Sequence, residues 1–159
     1  MTRIPLVWVM VAALFWPAAG MAQGFKIIGP APYCDATILH GPNERGASSA
    51  APQGRAVILY DPRLMPQLPY LEPFVMAHEC AHHALGHTSP EGLLREGFQF
   101  QEKELAADCW AARELTARGE ADVVAEQIAL WDRQDTDRPG PRYPTWAERI
   151  DKLRECSGS

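Results

Sequence analysis

The sequence lacks a long apolar run, an excess of positive charge and any closely spaced pair of cysteines. The apolar stretch from Leu6 to Trp16 has eleven residues, which is short of the ~20 that a membrane-spanning helix needs. A formal net charge of −5 argues against nucleic acid and anionic membrane surfaces as partners. The four cysteines include no CxxC pair, which argues against a redox motif or a structural zinc site.

The N-terminal stretch has the layout of a secretory signal peptide. Arg3 precedes the apolar segment, and small residues at positions 18–22 come before a cleavage site that we place after Ala22. Residues 1–22 are therefore predicted to be a signal peptide, and residues 23–159 an exported (periplasmic or secreted) single domain without a membrane span. That domain would carry 14 basic and 20 acidic residues, a net charge of −6. The alternative is an uncleaved N-terminal segment that anchors the protein in a membrane.

A short motif at residues 78–82, HECAH, has the spacing of a zinc-peptidase site. Residues four apart share one face of a helix, so His78 and His82 would present two imidazoles to one metal ion, with Glu79 beside them. The alternative is a pair of ordinary histidines on an amphipathic helix. That alternative must also explain an ionisable Glu79 within an apolar run, where an unpaired carboxylate is costly. The motif predicts peptide hydrolysis by a zinc-activated water, with Glu79 as general base.

A catalytic zinc ion needs a third protein ligand. A metzincin would have a histidine at position 88, which is Thr88 here, so His87 is one residue out of register and a poor third ligand. Glu104 and Asp108 are again four apart, on a helix predicted from about Phe98 to Arg118. One carboxylate, Glu104, would bind the metal while Asp108 orients a ligand histidine. Two imidazoles and one carboxylate in an open tetrahedral site suit Zn²⁺.

The HExxH motif followed by Glu-x-x-Ala-Asp resembles the gluzincin peptidases, particularly the family of the HtpX-type bacterial membrane proteases and the CaaX prenyl endopeptidases. In that family HExxHxxxxH is followed by ExxxD, and later by His-Pro and Arg-Ile. The match covers roughly residues 55–153 and includes His78, Glu79, His82, His87, Glu104, Asp108, Arg149 and Ile150. The resemblance implies a zinc endopeptidase in which Asp108 and His87 support the metal ligands.

The chain departs from this family at the third motif, where Tyr143 replaces the histidine that precedes the proline. That histidine usually stabilises the oxyanion. A phenol can also donate a hydrogen bond to a developing oxyanion, so Tyr143 is a candidate catalytic residue. The alternative is that Tyr143 packs over the helix that starts at Thr145.

Four cysteines in an exported chain predict two disulfides. We expect Cys80 to pair with Cys109, because both lie on the two predicted metal-binding helices, and Cys34 to pair with Cys156. The alternative for Cys80 is a small buried thiol under the metal.

The expected fold is α+β and zincin-like: a small sheet packed on an active-site helix and a glutamate helix, with two supporting helices. The predicted strands are Phe25–Ile28, Ala36–Leu39 and Ala56–Tyr60, and the supporting helices are about Ala121–Asp132 and Thr145–Glu155. The segment from His40 to Gly54 has no periodicity and is predicted to be a loop. The family resemblance implies that Ala56–Tyr60 is the sheet edge above the metal, where a peptide could add as a strand.

Two other functions remain open from the sequence. One is a non-catalytic zinc-binding or assembly module on the same scaffold that binds a partner protein. The intact Glu79 argues against this module, and the missing third-motif histidine argues for it. The other is a zymogen-like state in which the segment from His40 to Gly54 covers the site. The expected partner of the peptidase is a peptide or protein substrate, and the sequence leaves the oligomeric state open.

Overall fold

The computed structural model describes residues 24–94 and 96–158, without the side chains of residues 96–98. It has an α+β fold with a four-stranded mixed sheet and five α-helices in this part of the chain. The predicted signal peptide, residues 1–22, lies outside the described residues. Within the described ranges, no helix combines the length and the apolar character needed to cross a membrane.

The sheet contains β1 (Lys26–Pro30), β2 (Thr37–His40), β3 (Ala47–Ala50) and β4 (Val57–Tyr60) in the order β1-β2-β4-β3. Strands β2 and β4 are parallel, and the other two pairs are antiparallel. Three strands lie where the sequence predicts them. The prediction of a loop over residues 40–54 is wrong at β3, which forms because its backbone pairs with β4 from Ala47 opposite Tyr60 to Ala50 opposite Val57.

The position of the sheet edge also differs from the expectation. Strand β4 lies between β2 and β3 and is therefore an inner strand, whereas β3 is the edge strand beside the predicted metal-binding residues. The prediction that Ala56–Tyr60 forms the edge near the site is wrong, because the additional strand covers that side of β4. The unpaired backbone groups of this edge belong to β3.

The helices are α1 (Glu72–Ala84), α2 (Pro90–Leu94), α3 (Glu96–Ala117), α4 (Ala121–Trp131) and α5 (Trp146–Ser157). Pro73 lies in the first turn of α1, where its missing N–H costs no intrahelical hydrogen bond. Gly86 follows the end of α1 with a φ of 72°, which glycine adopts without a steric penalty. Helix α5 begins at a capping box in which Thr145 and Glu148 bond each other's backbone N–H.

Helix α1 is buried between two apolar clusters. On one side Phe74 and Ala77 pack with residues of the other helices, including Leu115, Trp131 and Leu153. On the other side Val75, Met76 and Cys80 of α1 pack against Ile58 and Tyr60 of β4. The two clusters explain why the sequence before the HExxH motif is almost continuously apolar.

The chain forms two disulfides, as predicted, but the pairing is Cys34–Cys80 and Cys109–Cys156. The predicted pairs Cys80–Cys109 and Cys34–Cys156 are wrong, and Cys80 is not a free thiol. The reason is the two-sided packing of α1. Cys80 belongs to the cluster on the sheet side, together with Cys34. Cys109 faces the helical cluster, which contains Cys156. Paired cysteines of this kind are typical of an oxidising, exported environment.

Candidate metal centre

Helices α1 and α3 bring His78, His82 and Glu104 together as a buried group that could bind a metal ion. One ligand atom from each residue lies within 4.8 Å of the others. The Nε2 atoms of the two histidines are 3.2 Å apart. Each lies close to the Glu104 carboxylate, at 3.4 Å for His78 and 3.5 Å for His82. Two imidazole nitrogens and one carboxylate converging on a point match the donor set of a three-ligand metal site.

The Nδ1 atoms of the two histidines also lie within hydrogen-bond distance of a neighbouring side chain. His78 Nδ1 lies 2.9 Å from Asp108 Oδ1, and His82 Nδ1 lies 2.9 Å from His87 Nδ1. A carboxylate only accepts hydrogen bonds, so His78 donates its Nδ1–H and keeps Nε2 directed at the site. Asp108 and His87 are thus in contact with the histidines that the sequence expects them to support.

Arg149 lies behind Asp108 and was not predicted as part of the site. Its guanidinium donates two hydrogen bonds of 2.7 Å to the Asp108 carboxylate and a third of 3.0 Å to the Tyr70 hydroxyl. Its charged group also lies 4.3 Å from the centre of a Trp131 ring, a favourable cation–π distance. The only signal in the sequence was the Arg149-Ile150 pair of the family pattern, which assigns no contact to the arginine.

These contacts shift the pKa values of the two histidines in opposite directions. Burial disfavours the imidazolium of His78, but hydrogen bonds to Asp108 and Glu104 outweigh it and raise the His78 pKa to about 10. Burial and the charge on His78 lower the pKa of His82 to about 3. The pKa of Glu104 is lowered, because the neighbouring His78 outweighs the effect of burial. The metal-free site at neutral pH therefore holds one imidazolium and one neutral imidazole.

Glu79 follows His78 on α1 and is 8% exposed. Burial raises the pKa of its carboxyl group, and a hydrogen bond from Ser49 opposes that shift. The Ser49 hydroxyl lies 2.5 Å from Glu79 Oε2 and 2.7 Å from the backbone oxygen of the same residue. Ser49 belongs to β3, the strand that the sequence did not predict. No motif in the sequence connected Ser49 with the site.

The candidate metal-binding group opens into a cleft of about 330 Å³ between β3, α1 and α3. Tyr143 lines this cleft, with its ring 5.0 Å from that of Phe100 in an edge-to-face contact. Burial and the carboxylate of Glu104 raise the pKa of the Tyr143 phenol, so the phenol keeps its proton at neutral pH. The cleft is also lined by Glu44, Arg45, Met65, Leu68, Leu93, Lys103 and Pro139.

His83 lies outside this cleft although it adjoins the HExxH motif. Its Nε2 donates to the Val57 carbonyl oxygen at 3.0 Å, so its Nδ1 accepts from the Thr88 hydroxyl at 3.0 Å. Both ring nitrogens thus bond residues that surround the C-terminal end of α1. His83 is a structural link between α1 and β4.

No protein-family model, curated protein or solved structure matches this chain.

Proposed function

We propose that the protein is a zinc-dependent peptidase of the gluzincin type that hydrolyses peptide bonds within polypeptides. One observation carries the proposal: a buried His78, His82 and Glu104 group lies in the same cleft as the buried carboxylate of Glu79. A site that only binds metal has no need of an additional buried carboxylate, whose burial is costly. A hydrolytic site needs one as a proton acceptor.

The proposed mechanism assigns a separate task to each residue. His78, His82 and Glu104 would hold zinc, which when bound supplies Lewis-acid chemistry that acidifies a water and polarises a carbonyl group. Glu79 takes the proton from the attacking water and passes it to the leaving amine. Burial raises the pKa of the Glu79 carboxyl group, which makes it a stronger proton acceptor. Asp108 and His87 keep the ligand imidazoles in the orientation that directs Nε2 into the site.

Tyr143 is the proposed donor to the oxyanion that develops on the substrate carbonyl. Its phenol lines the cleft together with Glu79 and His78, and its raised pKa keeps the donor proton in place. Hydrogen bonds to a developing oxyanion lower the barrier because they strengthen as the charge forms. The ring contact with Phe100 would limit the movement of the phenol.

Two features of the cleft support a polypeptide as substrate. The edge strand β3 lines it and has backbone groups that are free to pair with an extended chain. A second cavity adjoins the cleft beyond Thr88 and Leu93, which line both, and continues along the segment after β3. A substrate chain that extends past the cleaved bond could contact this second cavity, as an endopeptidase requires.

We also propose that the protein acts outside the cytoplasm. The two disulfides support an oxidising compartment, and the sequence of residues 1–22 supports export through a cleaved signal peptide.

The proposal is tested by measuring metal content and peptide cleavage on the same preparations of wild type and Glu79→Gln. We expect both proteins to bind one zinc ion, and Glu79→Gln to cleave a generic peptide library about 10²- to 10⁴-fold more slowly. Glu102→Gln, an exposed change on α3, is the matched control and should behave as wild type. Zinc-loaded wild type that cleaves no peptide would instead indicate the non-catalytic module.

A further inference from the structure

A single hydroxyl group connects the edge strand of the sheet to the proposed general base. Ser49 lies near the end of β3, and its Oγ is within hydrogen-bond distance of both the side chain and the backbone oxygen of Glu79. The neighbouring Ser48 makes a different contact, since its Oγ accepts a hydrogen bond of 2.9 Å from the Asn43 side chain. Consecutive residues of a strand face opposite sides of the sheet, so only Ser49 of this pair faces α1.

The contact matters because a glutamate side chain has several rotatable bonds and must face the attacking water in one arrangement. Burial alone does not select that arrangement. A hydrogen bond from the Ser49 hydroxyl to Oε2 restricts the rotation of the carboxylate. The single hydroxyl proton is shared with the backbone oxygen of Glu79, which keeps the hydroxyl at the turn of α1 that carries the base.

We propose that Ser49 is a positioning residue that holds the Glu79 carboxylate in its reactive orientation. The inference rests on the proposed function, in which Glu79 acts as the base. Ser49 itself does not touch the substrate or exchange protons. It contributes by restricting the conformations of Glu79, so its removal should act on the chemical step rather than on substrate or zinc binding.

The test compares Ser49→Ala, Ser49→Thr and Ser49→Val in the zinc-loaded protein. Threonine keeps the hydroxyl, while valine has the same shape without it, and both suit a strand. We expect kcat to fall roughly 10- to 100-fold in the Ala and Val variants, with KM and zinc content close to wild type, and to recover in the Thr variant. Thr37→Ala, on β2 and away from the cleft, is the control for loss of a hydroxyl from the sheet and should keep the wild-type kcat.

A purely structural role predicts a different pattern. Loss of a link between β3 and α1 would reduce the folded fraction and the zinc content, and would slow cleavage in proportion. The Thr and Val variants separate the two roles even if Ser49→Ala folds poorly, because they differ only in the hydroxyl. In the Glu79→Gln background, Ser49→Val should cause little further loss of activity, since both changes remove the same function.

The outcomes also separate this inference from the proposed function. Wild-type kcat in Ser49→Val, combined with an inactive Glu79→Gln, would overturn the role of Ser49 and leave the peptidase intact. Wild-type cleavage by Glu79→Gln would overturn the role of Glu79, and the role of Ser49 with it.

Discussion

At the scale of single residues, the feature that is most costly to bury is the pair of opposite charges next to the candidate metal ligands. Asp108 is 0% exposed and Arg149 is 1% exposed. Each would be costly to bury alone, but the two hydrogen bonds between them compensate much of that cost. The pKa of Asp108 is lowered and that of Arg149 is raised, because the attraction between them outweighs desolvation. Both groups therefore stay charged across the physiological range.

We predict that Asp108→Ala destabilises the metal-free protein by about 3–5 kcal/mol, because it leaves the Arg149 guanidinium buried without a counter-ion. Urea unfolding at neutral pH measures this loss. The double change Asp108→Leu with Arg149→Leu removes both charges and should recover part of the stability, since the buried Nδ1–H of His78 still loses its acceptor. A loss below about 1 kcal/mol in Asp108→Ala would show that Arg149 finds water or another partner.

The sequence predicts those site residues that lie close to one another along the chain. His78 and His82 share a helix face through their spacing, and Glu104 and Asp108 do so on a second helix. Ser49 and Arg149 could not be predicted in this way. Each reaches the site through tertiary packing, across 30 residues for Ser49 and Glu79 and across 41 for Arg149 and Asp108. In addition, an arginine in a helical pattern resembles an exposed residue, and burial is rare for it unless it is paired.

At the scale of elements, the helices could be predicted more closely than the sheet. Helix α5 has a capping box and α1 has an apolar run with a proline in the first turn, so both carry local start signals. Strand β3 has none, because alanine and serine have little preference for strands. Its conformation comes from pairing with β4. Which strand forms the edge beside the cleft therefore depends on tertiary packing. This explains why the prediction assigns the edge to Ala56–Tyr60 instead of β3.

The disulfide pairing could not be predicted from the sequence either. Four cysteines allow three connectivities, and the correct one depends on which faces of the helices and strands pack together. Cys34–Cys80 joins the segment between β1 and β2 to α1, and Cys109–Cys156 joins α3 to α5. The pairs are separated by 46 and 47 residues. Each crosslink thus closes a long loop in the unfolded chain and lowers its entropy.

We predict that replacing either pair by alanines lowers the free energy of unfolding by about 2–4 kcal/mol. Alanine is chosen because Cys80 is fully buried, and a serine hydroxyl there would lack a partner. Chemical denaturation measures the loss, and peptide mapping without reductant identifies the pairs. A peptide that links Cys80 to Cys109 would contradict the pairing described above.

At the scale of the whole molecule, helix α1 is held from two sides. The sheet cluster and Cys34–Cys80 fix one face of α1, and the helical cluster fixes the other, where Cys109–Cys156 holds α3 against α5. Helix α3 in turn carries Glu104 and Asp108 to the histidines of α1. The candidate ligands are thus placed by packed helices rather than by loops, which favours a preorganised site.

We expect the same arrangement to make metal binding by the folded protein depend on pH. In the metal-free protein His78 has a pKa of about 10, so below that pH its imidazolium must lose a proton before it can bind a metal. His82, with a pKa of about 3, is already neutral and releases none. We therefore predict that zinc affinity rises about tenfold per pH unit between pH 6 and 8.

Competition with a chelator of known affinity measures this slope, and calorimetry in two buffers of different ionisation enthalpy counts the protons. One proton should leave for each zinc ion bound. The sign follows from the raised pKa: acid keeps His78 protonated and weakens binding, while alkali removes the competing proton. If the affinity does not change over this range and no proton is released, His78 is neutral in the metal-free protein. The Asp108 and Glu104 carboxylates would then not hold it as an imidazolium.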